Sequence, residues 1–112
     1  MPDRVHNLFY HDCSSIDALE ASKRLRPQAL APMSTPVHLS TERFGRIPRG
    51  YIACAEDRAL STELQRDMIS KSLPVEVRTL PSGHSPFFSM PDRLAAALID
   101  LSAIGKTILK GT

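Results

Sequence analysis

The stretch "YIACAEDRALSTELQRDMISKSLPVEVRTL", residues 51–80, carries the clearest indication of the fold class. Its first five residues, Tyr51–Ala55, form a continuous run of mostly small and apolar side chains. Such a run is typical of a strand that is buried on both faces of a parallel sheet. Its last six residues, Val75–Leu80, alternate between apolar and polar side chains and predict a second strand. The segment between them must carry the chain from the end of one strand to the start of the next.

That intervening segment has the pattern of a one-sided helix. Apolar residues recur at every fourth position, namely Leu60, Leu64 and Met68. This spacing places side chains on one face of a helix. Thr62 and Gln65 are spaced like an N-terminal capping box, and Pro74 predicts the end of the helix.

A loop, "LPSGHSPFFSMPDR" (residues 80–93), follows the second strand. Pro91 near its end suits the first turn of another helix. An apolar stripe then continues through Leu94, Leu98, Leu101 and Ile104. The order strand, helix, strand, helix predicts an α/β fold in which helices flank a parallel sheet.

This order makes a geometric pair of Asp57 and His84. Asp57 follows the first strand, and the predicted helix of about 13 residues runs back ~20 Å at 1.5 Å per residue. The second strand, of about six residues, returns ~20 Å. Because the two lengths cancel, His84 is predicted to reach the same sheet edge as Asp57. Active sites of open α/β sheets lie at that carboxyl edge, where a carboxylate can fix the tautomer of an imidazole.

The N-terminal half is less regular. Ser14–Leu25 predicts a short helix with a serine cap. Its apolar face is predicted at Ala18, Ala21 and Leu25. Residues 26–36 contain three prolines, a composition that predicts a loop or linker. The next segment, Val37–Ser40, has at most the pattern of a weak strand.

Composition bounds the classes of function. The chain has 112 residues, 42% of them hydrophobic, and a formal charge of +2. These values indicate one small globular domain without the strong field that gathers nucleic acid or anionic membranes. The two cysteines make no disulfide framework, and no segment has the apolar length of a signal peptide or a membrane span. We therefore expect a soluble, cytoplasmic domain that binds neither nucleic acid nor membrane.

Two segments carry a resemblance to a known family. "RGYIACAEDRALSTELQRDMI" (residues 49–69) and "LPSGHSPFFSMPDRLAAALIDL" (residues 80–101) resemble the C-terminal part of an α/β-hydrolase, in its esterase and hydroxynitrile-lyase branch, which includes plant methyl-ester esterases. Residues 9–37 resemble the end of that branch's lid. The resemblance implies that residues 1–35 are the remainder of the lid with its return helix and linker. Residues 36–112 would then be the C-terminal unit of a three-layer hydrolase core.

The resemblance also implies roles for residues. Asp57 would be the acid and His84 the base of a Ser-His-Asp triad, and no cofactor is implied. Hydroxynitrile lyases of the branch carry a lysine directly after the histidine, whereas this chain has Ser85, so the resemblance favours an esterase. Ser85, Phe87 and Phe88 would lie near the substrate, a small-molecule ester.

The chain departs from the family pattern at the nucleophile. None of its five glycines brackets a serine as Gly-x-Ser-x-Gly, the elbow that exposes the family's serine. Ser85 is a poor substitute because it adjoins His84 and lacks that elbow. We therefore expect either an esterase segment that needs a serine-bearing partner chain, or a non-catalytic remnant or interaction module. In both cases an open sheet edge predicts self-association or a partner.

Other candidate residues have simpler interpretations. Glu56 is the rival acid, but its side chain is predicted to point away from that of Asp57. A group near the N-terminus contains possible metal ligands, namely His6, His11, Asp12 and Cys13. Their spacing matches no standard zinc pattern, so no metal is expected. Cys54 is interpreted as a small buried residue of the strand, and the basic run at 23–26 as a solvated helix face.

Overall fold

The computed structural model describes residues 2–74 and 76–111. Its helices are α1 (Pro2–Phe9), α2 (Ser15–Arg24), α3 (Ala31–Ser34), α4 (Thr62–Ser72), α5 (Pro86–Ser89) and α6 (Pro91–Lys110), with a 3-10 turn at Phe44–Arg46. The strands are β1 (Gly50–Cys54) and β2 (Glu76–Leu80). The predicted order of strand, helix, strand and helix is confirmed from residue 50 onward.

The two strands form a parallel pair, from Gly50 opposite Glu76 to Cys54 opposite Leu80. Gly50 and Ile52 line a depression with Leu98 and Leu101 of α6. Ala53, on the alternate face of β1, lines a cavity with residues of α4. Since successive side chains of a strand point to opposite faces, α4 and α6 cover the two faces of the sheet. This arrangement is the predicted helix, sheet, helix layering.

The ends of α4 differ from the sequence prediction. Ser61 is the N-cap, and its hydroxyl accepts a hydrogen bond from Leu64 N at 3.2 Å. The predicted capping box of Thr62 and Gln65 is therefore wrong, because the Gln65 side chain points back to β1. Leu73 ends the helix in the left-handed conformation with φ 49°, directly before Pro74.

Other local predictions have mixed outcomes. Ser14 caps α2 as predicted, with its Oγ accepting from Asp17 N at 3.1 Å. Ala18 and Ala21 are buried, but Leu25 is exposed because the helix ends one residue before it. Residues 37–40 form no strand. Val75, the predicted first residue of the second strand, lies outside the described residues.

The prediction that the first strand is buried on both faces is wrong within the described part of the chain. Tyr51–Cys54 are only partly buried, because the sheet formed by these residues has two strands and each strand has an open edge. Leu64, Met68 and Leu98 of the apolar stripes are also exposed. The radius of gyration is 16.2 Å, against about 13 Å for a compact domain of this length.

The buried core is small and lies near the N-terminus. Tyr10, Ala18 and Ala21 are buried there, and Val5, Phe9 and Cys13 pack against them. Among residues 2–74 and 76–111, α6 is the longest helix, but neither it nor any other has the apolar length needed to cross a bilayer. The core therefore joins α1 and α2, the segment that also contacts the candidate site.

Candidate active site

Asp57 lies in the loop that follows β1, and its carboxylate is held by the backbone. Its Oδ1 accepts hydrogen bonds from Ala59 N at 2.8 Å and from Leu60 N at 2.9 Å. Short acidic side chains often accept bonds from backbone two or three residues on. Only 4% of the side chain is exposed. The carboxylate is therefore fixed before any partner side chain reaches it.

His84 reaches the same edge from the loop that follows β2. The strand pairing continues past both strand ends, since Ala55 N donates to Leu80 O and Glu56 N donates to Ser82 O, each at 2.9 Å. These bonds hold the two loops side by side. They explain why a histidine four residues after β2 lies beside an aspartate three residues after β1.

The predicted contact between Asp57 and His84 is confirmed. His84 Nδ1 lies 2.9 Å from Asp57 Oδ2 and 3.2 Å from Asp57 Oδ1. With Nδ1–H donating to the carboxylate, the lone pair of the imidazole lies on Nε2. Nε2 has no hydrogen-bond partner within the described residues, and 32% of the side chain is exposed. The pair can therefore accept a proton from a group outside it.

The rival acid Glu56 does not join this pair. Its side chain is exposed, and its backbone rather than its carboxylate contacts the site. The choice of Asp57 over Glu56 follows from strand alternation, because neighbouring side chains point in different directions.

The other predicted site residues follow His84 directly. Ser85 is buried and precedes α5, where its carbonyl accepts from Phe88 N at 3.0 Å. Phe87 is 56% exposed, and its ring centroid lies 4.9 Å from that of Phe88. Phe88 also meets the ring of Tyr10 edge-on at 6.1 Å. The two phenylalanines thus form an exposed aromatic pair three and four residues after His84, and their contact with a substrate stays a prediction.

Three residues before α2 contact the site, and the sequence analysis did not assign them there. Asp12 Oδ2 accepts from Gly83 N at 2.7 Å, and His11 Nε2 lies 2.8 Å from Glu56 O. The ring of Phe9 meets that of His84 edge-on, with centroids 5.2 Å apart. No spacing rule reveals these contacts, because 71 residues separate Asp12 from Gly83.

The candidate metal ligands near the N-terminus are used otherwise. His11 and Asp12 bond to backbone groups of the site loops, and the described residues contain no group of three or more His, Cys, Asp or Glu side chains arranged to hold a metal ion. Burial raises the pKa of the Cys13 thiol to about 11, with Asp12 and Asp17 adding to the effect. Cys13 is therefore a protonated packing residue at neutral pH.

The charge of Asp12 is stabilised by its hydrogen bonds. Burial alone would raise the pKa of this carboxyl, but hydrogen bonds, first among them the one from Gly83 N–H, together with the nearby His11 lower its pKa below the ordinary value. Asp12 is thus an anion at neutral pH. Burial also raises the pKa of Tyr51, with smaller contributions from Cys54 and Asp57.

Gln65 fixes the end of β1 from the opposite side. Its side chain is buried and forms hydrogen bonds with Cys54 N, Cys54 O and Leu60 O, all at 2.8–2.9 Å. A cavity of about 260 Å³ next to it is lined by Ala53, Ile69 and other residues between the sheet and α4. Neither Asp57 nor His84 lines this cavity, and Asp57 lines a second, open and polar depression together with His11, Glu56 and Arg58.

The chain is similar in sequence and in structure to known hydrolases and esterases. The chain is 42% identical over 101 residues to putative methylesterase 13, chloroplastic, from Arabidopsis thaliana, and 32% identical over 101 residues to a pyrethroid hydrolase from Sphingobium wenxiniae. The structure superimposes on that of polyneuridine aldehyde esterase with a TM-score of 0.82 at 27% identity.

These alignments cover most of this chain but a minor part of each relative. They span 89% of this chain with 23% of the methylesterase and 36% of the pyrethroid hydrolase, and 91% of this chain with 41% of polyneuridine aldehyde esterase. A sequence profile described as "Alpha/beta hydrolase family" matches residues 2–97. The chain therefore belongs to the alpha/beta hydrolase family.

Proposed function

We propose that this chain supplies the acid and the base of a Ser-His-Asp triad in a carboxylic ester hydrolase. The observation that carries the proposal is the contact between His84 Nδ1 and the buried Asp57 carboxylate, with Nε2 open to a further group. The names of the relatives support ester hydrolysis, since two of them are a methylesterase and an esterase. The residue after the histidine, Ser85, agrees with an esterase rather than a lyase.

Each residue has a defined task in this mechanism. His84 Nε2 takes the proton from the hydroxyl of a serine as its oxygen attacks the ester carbonyl carbon. The protonated imidazole then gives that proton to the oxygen of the departing alcohol. Asp57 keeps Nδ1–H directed at itself and stabilises the imidazolium. A water molecule, activated by His84 in the same way, releases the acid from the serine.

In this proposal the nucleophile comes from outside residues 1–112, because no Gly-x-Ser-x-Gly lies among them. The open edge of β1 is the place where a serine-bearing sheet can join. Ala55 N–H donates to β2, whereas Cys54 N–H donates to the Gln65 side chain on the opposite edge. Because backbone groups alternate between the two edges of a parallel strand, those of Ile52, two residues before Cys54, point away from β2. If a partner sheet pairs its edge strand in parallel with β1, the carboxyl ends of the partner's strands lie at the same sheet edge as the dyad.

Complementation tests the proposal. The chain is produced alone and together with the part of the Sphingobium pyrethroid hydrolase that lies outside its alignment with this chain, and both samples are assayed with a fluorogenic short-chain ester. We expect no turnover above background from the chain alone and esterase activity from the pair. His84→Ala removes that activity, whereas the control His38→Ala, at an exposed position outside the site, retains it.

A serine-directed phosphonate identifies the nucleophile in the same samples. We expect stoichiometric labelling of the partner's serine and none of this chain. Labelling of any serine in residues 1–112, or esterase activity that survives His84→Ala, would contradict the proposal. A pair that assembles but hydrolyses no ester would favour the alternative, in which the chain is a non-catalytic interaction module.

A further inference from the structure

The segment Phe9–Asp12, here called the clasp, contacts the loop that follows β1 and the loop that follows β2. Its Asp12 carboxylate accepts from Gly83 N at 2.7 Å, and its His11 imidazole bonds to Glu56 O at 2.8 Å. Gly83 directly precedes His84, and Glu56 directly precedes Asp57. The clasp therefore holds the backbone one residue before each member of the dyad.

The fit between the clasp and Gly83 leaves no room for a side chain. A Cβ at position 83 would lie 2.7 Å from Asp12 Oδ1 and 2.7 Å from His11 Nε2, well inside van der Waals contact. The backbone of Gly83 does not itself require glycine, because no glycine among the described residues has positive φ. The close approach of the clasp is thus the reason for a glycine before the histidine.

The clasp also contacts the imidazole itself. The Phe9 ring meets the His84 ring edge-on with centroids 5.2 Å apart and an interplanar angle of 63°. Phe9 packs against the buried cluster of Tyr10, Ala18 and Ala21. The orientation of His84 is therefore linked to the packing of α1 on α2, as well as to Asp57.

We propose that Asp12 is a positioning residue, whose carboxylate holds the Gly83 backbone so that His84 Nδ1 faces Asp57. Asp12 itself contacts neither Asp57 nor His84 in the hydrogen bonds of the described residues. Its bond is short and charge-assisted, the strong class of backbone contact. The lowered pKa of Asp12 agrees with an anion in this place. The use of this positioning in catalysis rests on the proposed function.

The imidazole tautomer of His84 reports this role directly. With Nδ1–H bonded to Asp57, the neutral ring is held in the Nδ1–H form, whereas a histidine released from the carboxylate changes its tautomer balance. The test uses the full chain labelled with 15N-histidine. Two-bond 1H–15N correlation spectra are recorded at a pH at which free histidine is neutral. Asp12→Ala is compared with Asp12→Asn, which keeps an oxygen that accepts from Gly83 N–H.

We expect His84 to be predominantly Nδ1–H in the wild type and in Asp12→Asn, and to lose this preference in Asp12→Ala. The control Asp67→Ala removes an exposed acid paired with Lys71 and should leave the spectrum of His84 unchanged. Retention of the Nδ1–H form in Asp12→Ala, or its loss in both Asp12 variants, would overturn the proposal.

A second variant covers the case in which Asp12→Ala does not fold. Gly83→Ala keeps Asp12 and Asp57, but its Cβ displaces the side chains of the clasp from Gly83. It should therefore reduce the Nδ1–H form of His84, as Asp12→Ala does. An unchanged tautomer in Gly83→Ala would contradict the positioning role. The readout requires no ester turnover, so failure of the proposed function leaves this test decisive.

Discussion

Gln65 and Cys54 form two hydrogen bonds in the manner of adjacent strands. Gln65 Oε1 accepts from Cys54 N at 2.8 Å, and Gln65 Nε2 donates to Cys54 O at 2.9 Å. The side-chain amide of α4 thus replaces a neighbouring strand at the last residue of β1, on the edge opposite β2. Asp57 N donates to the same Cys54 carbonyl at 3.3 Å, so this pairing also supports the loop of the candidate acid.

Replacing the buried side chain of Gln65 should destabilise the chain. Gln65→Ala leaves backbone groups of Cys54 and Leu60 without their partner in a site where Gln65 is 4% exposed. We expect a loss of about 1–3 kcal/mol in the free energy of unfolding, measured by urea denaturation. Gln28→Ala, at an exposed position of the linker, is the matched control. Equal stability of the two variants would show that the pairing contributes nothing.

Neutralising Asp57 should impair catalysis far more than neutralising its neighbour. In the complemented esterase, Asp57→Asn should lower kcat by about 10⁴, the loss that this change causes in a serine-protease triad through the wrong histidine tautomer. Glu56→Gln should leave kcat nearly unchanged, because the exposed Glu56 carboxylate takes no part in the pair. Similar losses in both variants would mean that the two acids share the role.

The Asp12 carboxylate should make stability depend on pH in the acid range. Its folded pKa lies below the ordinary value of 3.8, so its contribution is fully present above pH 3.8 and is lost as the pH falls through the folded pKa. Asp12→Asn lacks this titration. Urea unfolding from neutral to acidic pH should therefore show a constant difference between wild type and variant that shrinks below pH 3.8. A difference in unfolding free energy that grows as the pH falls would contradict this prediction.

The chain alone should self-associate at low micromolar concentration. Ile52 directs its backbone N–H toward the open edge of β1, and the apolar residues Leu64, Met68 and Leu98 are exposed. An unpaired edge can accept a strand of another chain. Ile52→Pro removes that N–H and should reduce the apparent mass measured by light scattering. A wild-type monomer with cooperative unfolding would contradict the prediction.

Local patterns in the sequence predicted the elements that carry the dyad. The apolar period of residues 60–68 predicted α4, and the strand patterns on either side predicted β1 and β2. The failures have a physical cause too. The capping-box spacing of Thr62 and Gln65 misled because Ser61 is an equally good cap, and burial of Gln65 against β1 decided between them. The expected burial of Tyr51–Ala55 misled because apolar composition does not tell which neighbours are present.

Local periodicity was sufficient to predict that Asp57 and His84 meet, because their positions depend on the lengths of one helix and one strand. The hydrogen bonds that hold this contact in place come from residues far apart in the chain. The bonds of Asp12 to Gly83 and of His11 to Glu56 join residues 71 and 45 positions apart. No period relates such residues, so their contact depends on how α1 and α2 pack against the rest of the chain.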